Sequence, residues 1–298
     1  MDQMKHLIQG AYDLHIHSAP DLLPRKMNDM EMAKRGAEAG MAGFAIKSHF
    51  FCTSERAELV NLQGIGSCRA IGAITLNRAV GGINPVAVEM AGRSGAKIVW
   101  FPTCDALNER AHVFDGNPNK KLPYWAQILI QMQEAGIAPE PISILKDNGR
   151  LTDEAIGVID VIAKHNMILA TGHISHEECF ELVKVAAERK VERIIVTHVD
   201  FPATFYTVEE QKQLAAYGAY MEHCYTTWQT GKVDLAVSIE QIKAMGADRV
   251  ILATDLGQAT GKYPDEGLLE YATELVKAGM SEDDVRKMIV NNPTTLLN

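Results

Sequence analysis

The segment AYDLHIHS, near the start of the chain, places His15 and His17 two positions apart after an apolar stretch. In an extended strand, residues i and i+2 project from the same side, so both imidazoles can face one point. Neutral imidazole is a common protein ligand of divalent metals. The pair therefore indicates a shared divalent cation, although two buried histidines bonded to neighbouring groups would show the same spacing.

Three later residues of metal-ligand type also close short apolar runs. His173 follows LATG, His198 follows IIVT and Asp255 follows VILAT. Each side chain would be a costly polar intrusion near a core unless something satisfied it. A divalent metal explains all five residues together. We expect zinc, with manganese, iron, nickel or cobalt as alternatives, because imidazole and carboxylate accept all of them.

Apolar or β-branched runs recur along the chain, most of them roughly 25–32 residues apart, which is the length of one strand–helix unit. Such runs are typical of strands that a parallel sheet buries on both faces. Amphipathic helical stretches lie between them. The eight predicted strands are 11–18, 43–50, 68–77, 96–105, 167–175, 193–200, 219–228 and 249–258.

This alternation predicts an α/β fold, a (β/α)8 TIM barrel, with an open doubly wound sheet as the alternative. No GxGxxG follows the first strand, which counts against a dinucleotide-binding sheet. In a barrel the carboxyl ends of the strands meet at one mouth, where active sites form. The histidines and the aspartate described above stand at those ends, so we expect them to meet there.

The connection between the fourth and fifth strands, residues 105–166, is longer than the others. It contains a Pro/Gly/Asn-rich loop at 105–123, predicted helices at Tyr124–Ala135 and Asp153–His165, and a predicted hairpin at 142–152. The Asp-Asn-Gly sequence within the hairpin is typical turn chemistry. We interpret the segment as an elaboration of one barrel domain that spans the whole sequence.

The order of these ligand-type residues resembles the pattern of the amidohydrolase superfamily of metal-dependent hydrolases, which are TIM barrels. The resemblance covers nearly the whole chain, and the C-terminal MIVNNPTTLLN resembles the helix that closes those barrels. It implies that His15, His17 and Asp255 bind the more buried metal. His173 and His198 would bind a second ion, or His173 would join the first while His198 supports the oxyanion. Asp255 would take the proton of the attacking water as general base.

The chain departs from that family at the fourth strand, where binuclear members carry a bridging carboxylated lysine or a glutamate. Here KIVWFPTCD offers only Cys104 and Asp105. Lys47, in AIKSHF on the second strand, shares its parity with His49 and can reach the mouth. Lys47 is a carboxylated bridging ligand, a cation that holds a substrate carboxylate or phosphate, or a structural residue paired with an acid.

Several other residues are candidates for binding substrate. Arg25 and His49 lie after the first and second strands, and His176 opens a helix just after His173. Glu222 lies next to His223 on the seventh strand, and either side chain could reach the mouth. Asp13 precedes the His pair and could orient one of its members.

The leading hypothesis is a hydrolase that uses a metal-activated water on an amide, an ester or lactone, or another C–N bond of a small polar substrate. A decarboxylase or other lyase on the same barrel is an alternative, with Lys47 or Arg25 holding the carboxyl group. DLHIHSAPD also resembles the opening motif of PHP-type phosphoesterases, although their late DxH motif reads TDLG here. A barrel that binds a ligand without catalysis is the alternative of another class.

Composition limits the partners. The 298 residues carry 29 Lys and Arg against 38 Asp and Glu, a net charge of −9, which argues against nucleic-acid and anionic-membrane partners. Five scattered cysteines without a CxxC motif, and ten N-terminal residues without an apolar core, favour a cytoplasmic protein. We expect one or two divalent ions, a small-molecule substrate and possible homo-oligomers.

Overall fold

The structure, a computed structural model, describes residues 2–117 and 121–298. Within them, short strands alternate with helices, and all paired strands run parallel. The strands are β1 (Tyr12–Ile16), β2 (Gly43–Ile46), β3 (Arg69–Ile71), β4 (Ala73–Thr75), β5 (Ile98–Trp100), β6 (Ile168–Ala170), β7 (Ile194–Val196), β8 (Tyr220–Cys224) and β9 (Val250–Ala253).

The strands pair in sequence order, β1 to β3 in one sheet and β4 to β9 in a second. Only Gly72 separates β3 from β4, so the two are halves of one barrel strand, predicted at 68–77. A Cβ atom on Gly72 would lie 2.5 Å from Ser54 Cα. The missing side chain therefore lets the start of the preceding helix, at Ser54, pack closely against the break.

The first and last strands meet through their carboxyl ends. The His17 amide donates to Leu256 O at 2.7 Å, and the Asp255 amide donates to His15 O at 2.8 Å. A parallel bridge pairs Ile16 with Leu256. These bonds close the strand series into the predicted (β/α)8 barrel.

Helices surround the strands. The α-helices are α1 (Asp29–Glu38), α2 (Ser54–Leu62), α3 (Pro85–Arg93), α4 (Leu107–Val113), α5 (Tyr124–Glu134), α6 (Asp153–His165), α7 (His176–Glu188), α8 (Val208–Ala216), α9 (Tyr225–Gln229), α10 (Leu235–Met245), α11 (Pro264–Lys277), α12 (Glu282–Arg286) and α13 (Asn292–Leu297). The 3-10 helices are Asp2–Ile8, Arg78–Val80, Pro202–Thr204 and Ala247–Arg249, and a π-helical turn, Lys287–Asn291, joins α12 to α13. Within the described parts of the chain, every helix is too short or too polar to span a lipid bilayer.

Local sequence explains where the helices that follow the strands begin. Asn28, Ser175 and Thr207 precede α1, α7 and α8, and each forms a capping box with the glutamate three residues later. Such boxes satisfy two backbone amides that the first helical turn leaves without partners. The predicted serine cap before α7 is confirmed.

The long connection between β5 and β6 contains the predicted helices as α5 and α6. The region predicted as a loop, 105–123, differs, because 107–113 form α4 and 118–120 lie outside the described residues. Tertiary packing explains α4, since the Leu107 amide donates to Ile142 O at 2.8 Å. The predicted hairpin is a tight turn, in which the Lys146 amide donates to the carbonyl of Arg150.

Apolar side chains form two layers, one between the strands and the helices and one inside the barrel. The interior residues are Leu14, Ala45, Ile71, Ala73, Ile98, Trp100, Ile168, Ala170, Ile195, Tyr220, Ile251 and Leu296. Leu296 comes from α13, so the C-terminal helix closes the end of the barrel opposite the mouth. Trp100, the largest interior side chain, is also 1% exposed and forms the floor beneath the mouth.

We expect Leu296→Ala to lower the free energy of unfolding by about 2–5 kcal/mol, because it leaves a cavity among the interior side chains. Urea denaturation followed by circular dichroism measures the change. Leu62→Ala is the matched control, since Leu62 is 72% exposed at the end of α2, and it should change stability by less than about 0.5 kcal/mol. Equal effects of the two variants would contradict the role of α13 in closing the barrel.

Candidate active site

The backbone of β1 is irregular between Asp13 and Ile16. Leu14 belongs to the interior layer, whereas Ile16 belongs to the outer one. The ring of His15, next to Leu14 in sequence, nevertheless packs 5.5 Å from the interior Trp100 ring. The irregularity therefore turns two successive side chains into the barrel, as β-bulges do.

His15 and His17 share the interior side of β1, as their spacing predicts, with ring centroids 5.7 Å apart. Asp255 follows β9 and completes a first donor set. Its Oδ1 lies 3.2 Å from His15 Nε2 and 3.0 Å from His17 Nε2. The Thr226 hydroxyl donates to the other oxygen of Asp255 at 3.0 Å. Asp255 has a φ of 53°, so a left-handed backbone aims this carboxylate at the histidines.

Electrostatics keep most of these groups in the forms that bind metals. Burial, followed by the nearby Arg25 guanidinium, lowers the pKa of His17 to about 3, so the ring is neutral. Burial alone would raise the pKa of Asp255, but the neighbouring histidines hold it well below its usual value. Burial and Lys47 disfavour protonation of His15, yet the carboxylates of Glu222 and Asp255 outweigh them and raise its pKa.

A second donor set lies on the opposite side of the His15 ring. His15 Nδ1 is 3.2 Å from both carboxylate oxygens of Glu222 and 3.8 Å from Cys224 Sγ. A ring nitrogen of His198 completes this set, in which all donor atoms lie within 4.8 Å of one another. All four side chains are buried. Sequence reasoning left the choice between Glu222 and His223 open, and the structure places Glu222 at the site.

His198 and His173 extend the cluster. The ring of His198 lies 4.9 Å from that of His15 and 5.3 Å from that of His173. His198, like Asp255, has a left-handed φ, of 54°. His173 belongs to neither of the two donor sets. A carboxylate oxygen of Glu109 lies 3.4 Å from its Nδ1 atom. Its assignment as a metal ligand stays a prediction.

Lys47 reaches the first donor set from the end of β2. Its Nζ is 2.8 Å from His15 Nε2 and 5.2 Å from the centroid of the Trp100 ring. The side chain is 1% exposed, and burial lowers the pKa of its amine. Among the described residues, Lys47 forms no salt bridge, so the geometry does not support a structural role through pairing with an acid.

Two of the predicted substrate-binding residues border the first donor set. The His49 ring stacks on that of His17 at 5.0 Å. Arg25 lies 3.3 Å from His17 Nδ1, but its guanidinium is ion-paired with Asp21 at 2.6 Å and its side chain is only 5% exposed. Arg25 can therefore meet a substrate anion only if it shares or leaves Asp21.

His176 and Asp13 make contacts other than those predicted from the sequence. His176 stacks on Tyr206 and contacts Glu210 on α8, so its ring interacts with the helical layer rather than with either donor set. Asp13 does not touch an imidazole, because its carboxylate accepts hydrogen bonds from the Thr254 hydroxyl and amide and from the His15 amide. The bulge in β1 explains this difference, since it ends the regular alternation on which the prediction depends.

Three contacts at the site were missed from the sequence. Cys224 lies two positions after Glu222, the same spacing that drew attention to the histidine pair, and that spacing could have found it. Glu109 lies in the segment predicted as loop. Thr226 has no distinguishing sequence signal, because it depends on how the chain turns after β8.

The donor sets fit a divalent cation. Asp255 Oδ1 lies 3.2 Å and 3.0 Å from the two imidazole nitrogens, and all three donor atoms lie within 4.8 Å of one another, close enough to share one four-coordinate zinc. Both ring nitrogens of His173 and Nδ1 of His198 are buried without a hydrogen-bond partner among the described residues. Leaving such groups unsatisfied costs about 1–3 kcal/mol each, so a bound ion or ligand would satisfy them.

The PHP-type alternative needs a histidine at position 257. Gly257 has a φ of 138°, and a Cβ atom there would lie 1.7 Å from the carbonyl oxygen of His17. The backbone that closes the barrel therefore leaves no room for any side chain at this position. The geometry does not support the third element of that motif.

Comparisons with known proteins agree with this architecture. A family of unknown function, DUF6282, has a model that matches residues 10–222. No curated protein sequence matches the chain. An amidohydrolase from Pseudomonas aeruginosa is 14% identical with a TM-score of 0.65, and the match covers 99% of this chain and 97% of that one.

Two further solved structures are similar. The probable dipeptidase PvdM from Pseudomonas aeruginosa is 9% identical with a TM-score of 0.61, over 99% of this chain and 96% of that one. A lactonase from Listeria monocytogenes is 14% identical with a TM-score of 0.55, over 98% and 96%. At such identities the likeness shows the fold alone, and it confirms the α/β barrel that the sequence predicts.

We expect His17→Ala to weaken binding of Zn²⁺ to the metal-free protein at least tenfold, because it removes a donor from the first set. Competition with a chromophoric chelator measures the affinity. His176→Ala is the matched control and should leave the affinity unchanged, since this ring contacts Glu210 instead. An unchanged affinity in His17→Ala would remove His17 from the ligand set.

Proposed function

The chain belongs to the DUF6282 family, and we propose that this member is a metal-dependent hydrolase of small polar substrates. The observation that carries the proposal is the convergence of His15 Nε2, His17 Nε2 and Asp255 Oδ1 at the barrel mouth. A pure binding module has no need for such a set beside further unsatisfied imidazoles. The relatives of similar fold, which include an amidohydrolase, a probable dipeptidase and a lactonase, support hydrolysis.

A bound divalent cation, which we propose is zinc, would lower the pKa of the attacking water and polarise the scissile bond. His15, His17 and Asp255 would hold it, and His173 and His198 would hold a second ion or contact the substrate. Asp255 is suited to be the general base, because its second oxygen faces Thr226 and stays anionic. Its carboxylate would take the water proton and return it to the leaving group.

His198 stands beside this carboxylate, with Nε2 3.8 Å from Asp255 Oδ2. Burial lowers the pKa of His198 well below its usual value, so the ring is neutral in the free protein. A neutral imidazole can donate one hydrogen bond, and we assign it to the oxygen that becomes negative as the substrate is attacked.

A divalent cation bound to the first donor set would lie close to the amine of Lys47. An ammonium 2.8 Å from His15 Nε2 would repel a divalent ion bound to the same nitrogen. Burial favours the neutral amine, which can combine with CO₂ to give a carbamate and a released proton. The carbamate would add a negative oxygen donor, so we favour the carboxylated form over a cation that holds substrate.

We propose a lactone, ester, amide or other C–N bond in a small molecule. His49 lines the mouth beside His17, and Arg25 offers a positive group once it leaves or shares Asp21. Five free cysteines agree with a reducing cytoplasmic setting, and the net charge of −9 disfavours nucleic acid and anionic membranes.

The direct test is turnover by the zinc-, manganese- or cobalt-loaded protein on a panel of lactones, carboxylic esters, N-acyl amino acids, dipeptides and phosphotriesters. We expect at least one class to be hydrolysed, with activity lost to a chelator and restored by the metal. A metal-loaded protein that binds members of the panel without turning any over would favour the non-catalytic barrel. Release of CO₂ from a carboxylate-bearing substrate would favour the lyase.

We expect Asp255→Asn to reduce kcat by about 10²–10⁴-fold, because the amide cannot accept the water proton. Asparagine tolerates the left-handed backbone at this position, so the fold should survive. Steady-state kinetics on the best substrate, with circular dichroism as a folding check, measure the effect. Asp234→Asn, at the cap of α10, is the matched control and should retain full activity; near-normal activity of Asp255→Asn would refute the base role.

We expect the metal-loaded protein, equilibrated with ¹³C-bicarbonate, to show a carbamate carbonyl resonance in its NMR spectrum. Lys47→Arg should abolish the resonance, since a guanidinium forms no carbamate. The exposed Lys34 provides the control Lys34→Arg, which should keep it. A wild-type spectrum without the resonance would leave Lys47 as a cation at the mouth.

A further inference from the structure

The second donor set, defined above as His15, His198, Glu222 and Cys224, includes two residues, Glu222 and Cys224, that have no role in the proposed hydrolysis. Its members come from three different strands or strand ends, β1, β7 and β8, and meet inside the barrel. Each is at most 2% exposed. The set combines two imidazoles, one carboxylate and one thiol, which is a donor combination typical of zinc and of similar borderline metals.

The distances within the set agree with four-coordinate geometry. Around a tetrahedral zinc with ordinary bond lengths, neighbouring donors lie roughly 3.3–3.6 Å apart. Here Glu222 Oε1 is 3.2 Å and Cys224 Sγ 3.8 Å from His15 Nδ1. All donors lie within 4.8 Å of one another. Two of these distances are already close to the values expected around one shared ion.

An unsatisfied nitrogen gives independent support. His198 Nδ1 is buried and has no hydrogen-bond partner among the described residues. The only hydrogen bond described for the Cys224 thiol is the long one to His15 Nδ1. An ion bound between these groups would give the His198 nitrogen a partner and replace the long contact of the thiol, whereas a purely structural network leaves that nitrogen without one.

We propose that His15 Nδ1, Glu222, Cys224 and a ring nitrogen of His198 form a second, thiolate-containing site for a borderline divalent cation such as zinc. Binding there replaces two protons, that of the Cys224 thiol and that which His15 Nδ1 shares with Glu222, and both are released to solvent. With the first donor set also occupied, His15 bridges two cations through its two nitrogens. The thiolate and the carboxylate offset the charge of the added ion.

Cobalt(II) is the probe, because a cobalt–thiolate bond produces a charge-transfer absorption band that nitrogen and oxygen ligands do not. We expect the metal-free full-length protein to develop this band on titration with cobalt(II). Cys224→Ser should lose the band and bind one cobalt ion fewer per chain by elemental analysis. His17→Ala, which alters only the first donor set, should retain the band.

Controls separate this thiol from the others and from misfolding. Cys104→Ser removes the other buried cysteine close to Lys47 and should keep the band. If circular dichroism shows that Cys224→Ser does not fold, Glu222→Gln serves instead. This variant should weaken binding of the cobalt ion that gives the band at least tenfold. No band in the wild type, or a band that survives in folded Cys224→Ser, would overturn the proposal and leave Glu222 as a hydrogen-bond acceptor of His15.

These results do not depend on hydrolysis. A protein that turns over substrate without a thiolate band would keep the proposed function and lose this second site. A protein that shows the band but turns over no member of the panel would keep this second site and lose the proposed function.

Discussion

The site depends on the two backbone hydrogen bonds that join the first and last strands of the barrel. The amides of His17 and Asp255 donate across this seam, so the same residues that close the barrel carry the donor side chains inward. Asp13 and Thr254 add side-chain bonds directly beneath. Because main-chain bonds fix both sides of the seam, the distance between the histidine pair and the aspartate is set by the fold and not by flexible loops.

Charge balance explains why so many polar groups can be buried together. The two donor sets contain two carboxylates, Asp255 and Glu222, close to the amine of Lys47 and a group of imidazoles. Burial alone would neutralise the acids and the amine. The histidines instead keep Asp255 ionised, so a bound cation would meet this carboxylate in its anionic form. Metal binding and the stability of this interior are therefore coupled.

Much of the fold follows from patterns that the sequence displays openly. Buried parallel strands need continuous apolar runs. His173, His198 and Asp255 can be identified from the sequence because each interrupts the end of such a run. The features that the sequence does not predict depend on tertiary context. Packing against Ile142 makes a helix from 107–113, and a one-residue irregularity in β1 decides the partners of Asp13. Neither depends on any local preference that composition or periodicity reveals.

The same limit applies within the site. Parity left Glu222 and His223 equivalent, because a strand buried on both faces has no polar side to separate them. The register of β8 against β9 resolves the choice: Glu222 faces His15, while His223 contacts Asp200 behind the strand.

His198 and Asp255 both have a left-handed backbone conformation. This conformation costs a residue with a side chain about 1–2 kcal/mol relative to glycine. Glycine would relieve this strain only by removing the side chain on which the site depends, so the barrel carries a standing conformational cost for its chemistry.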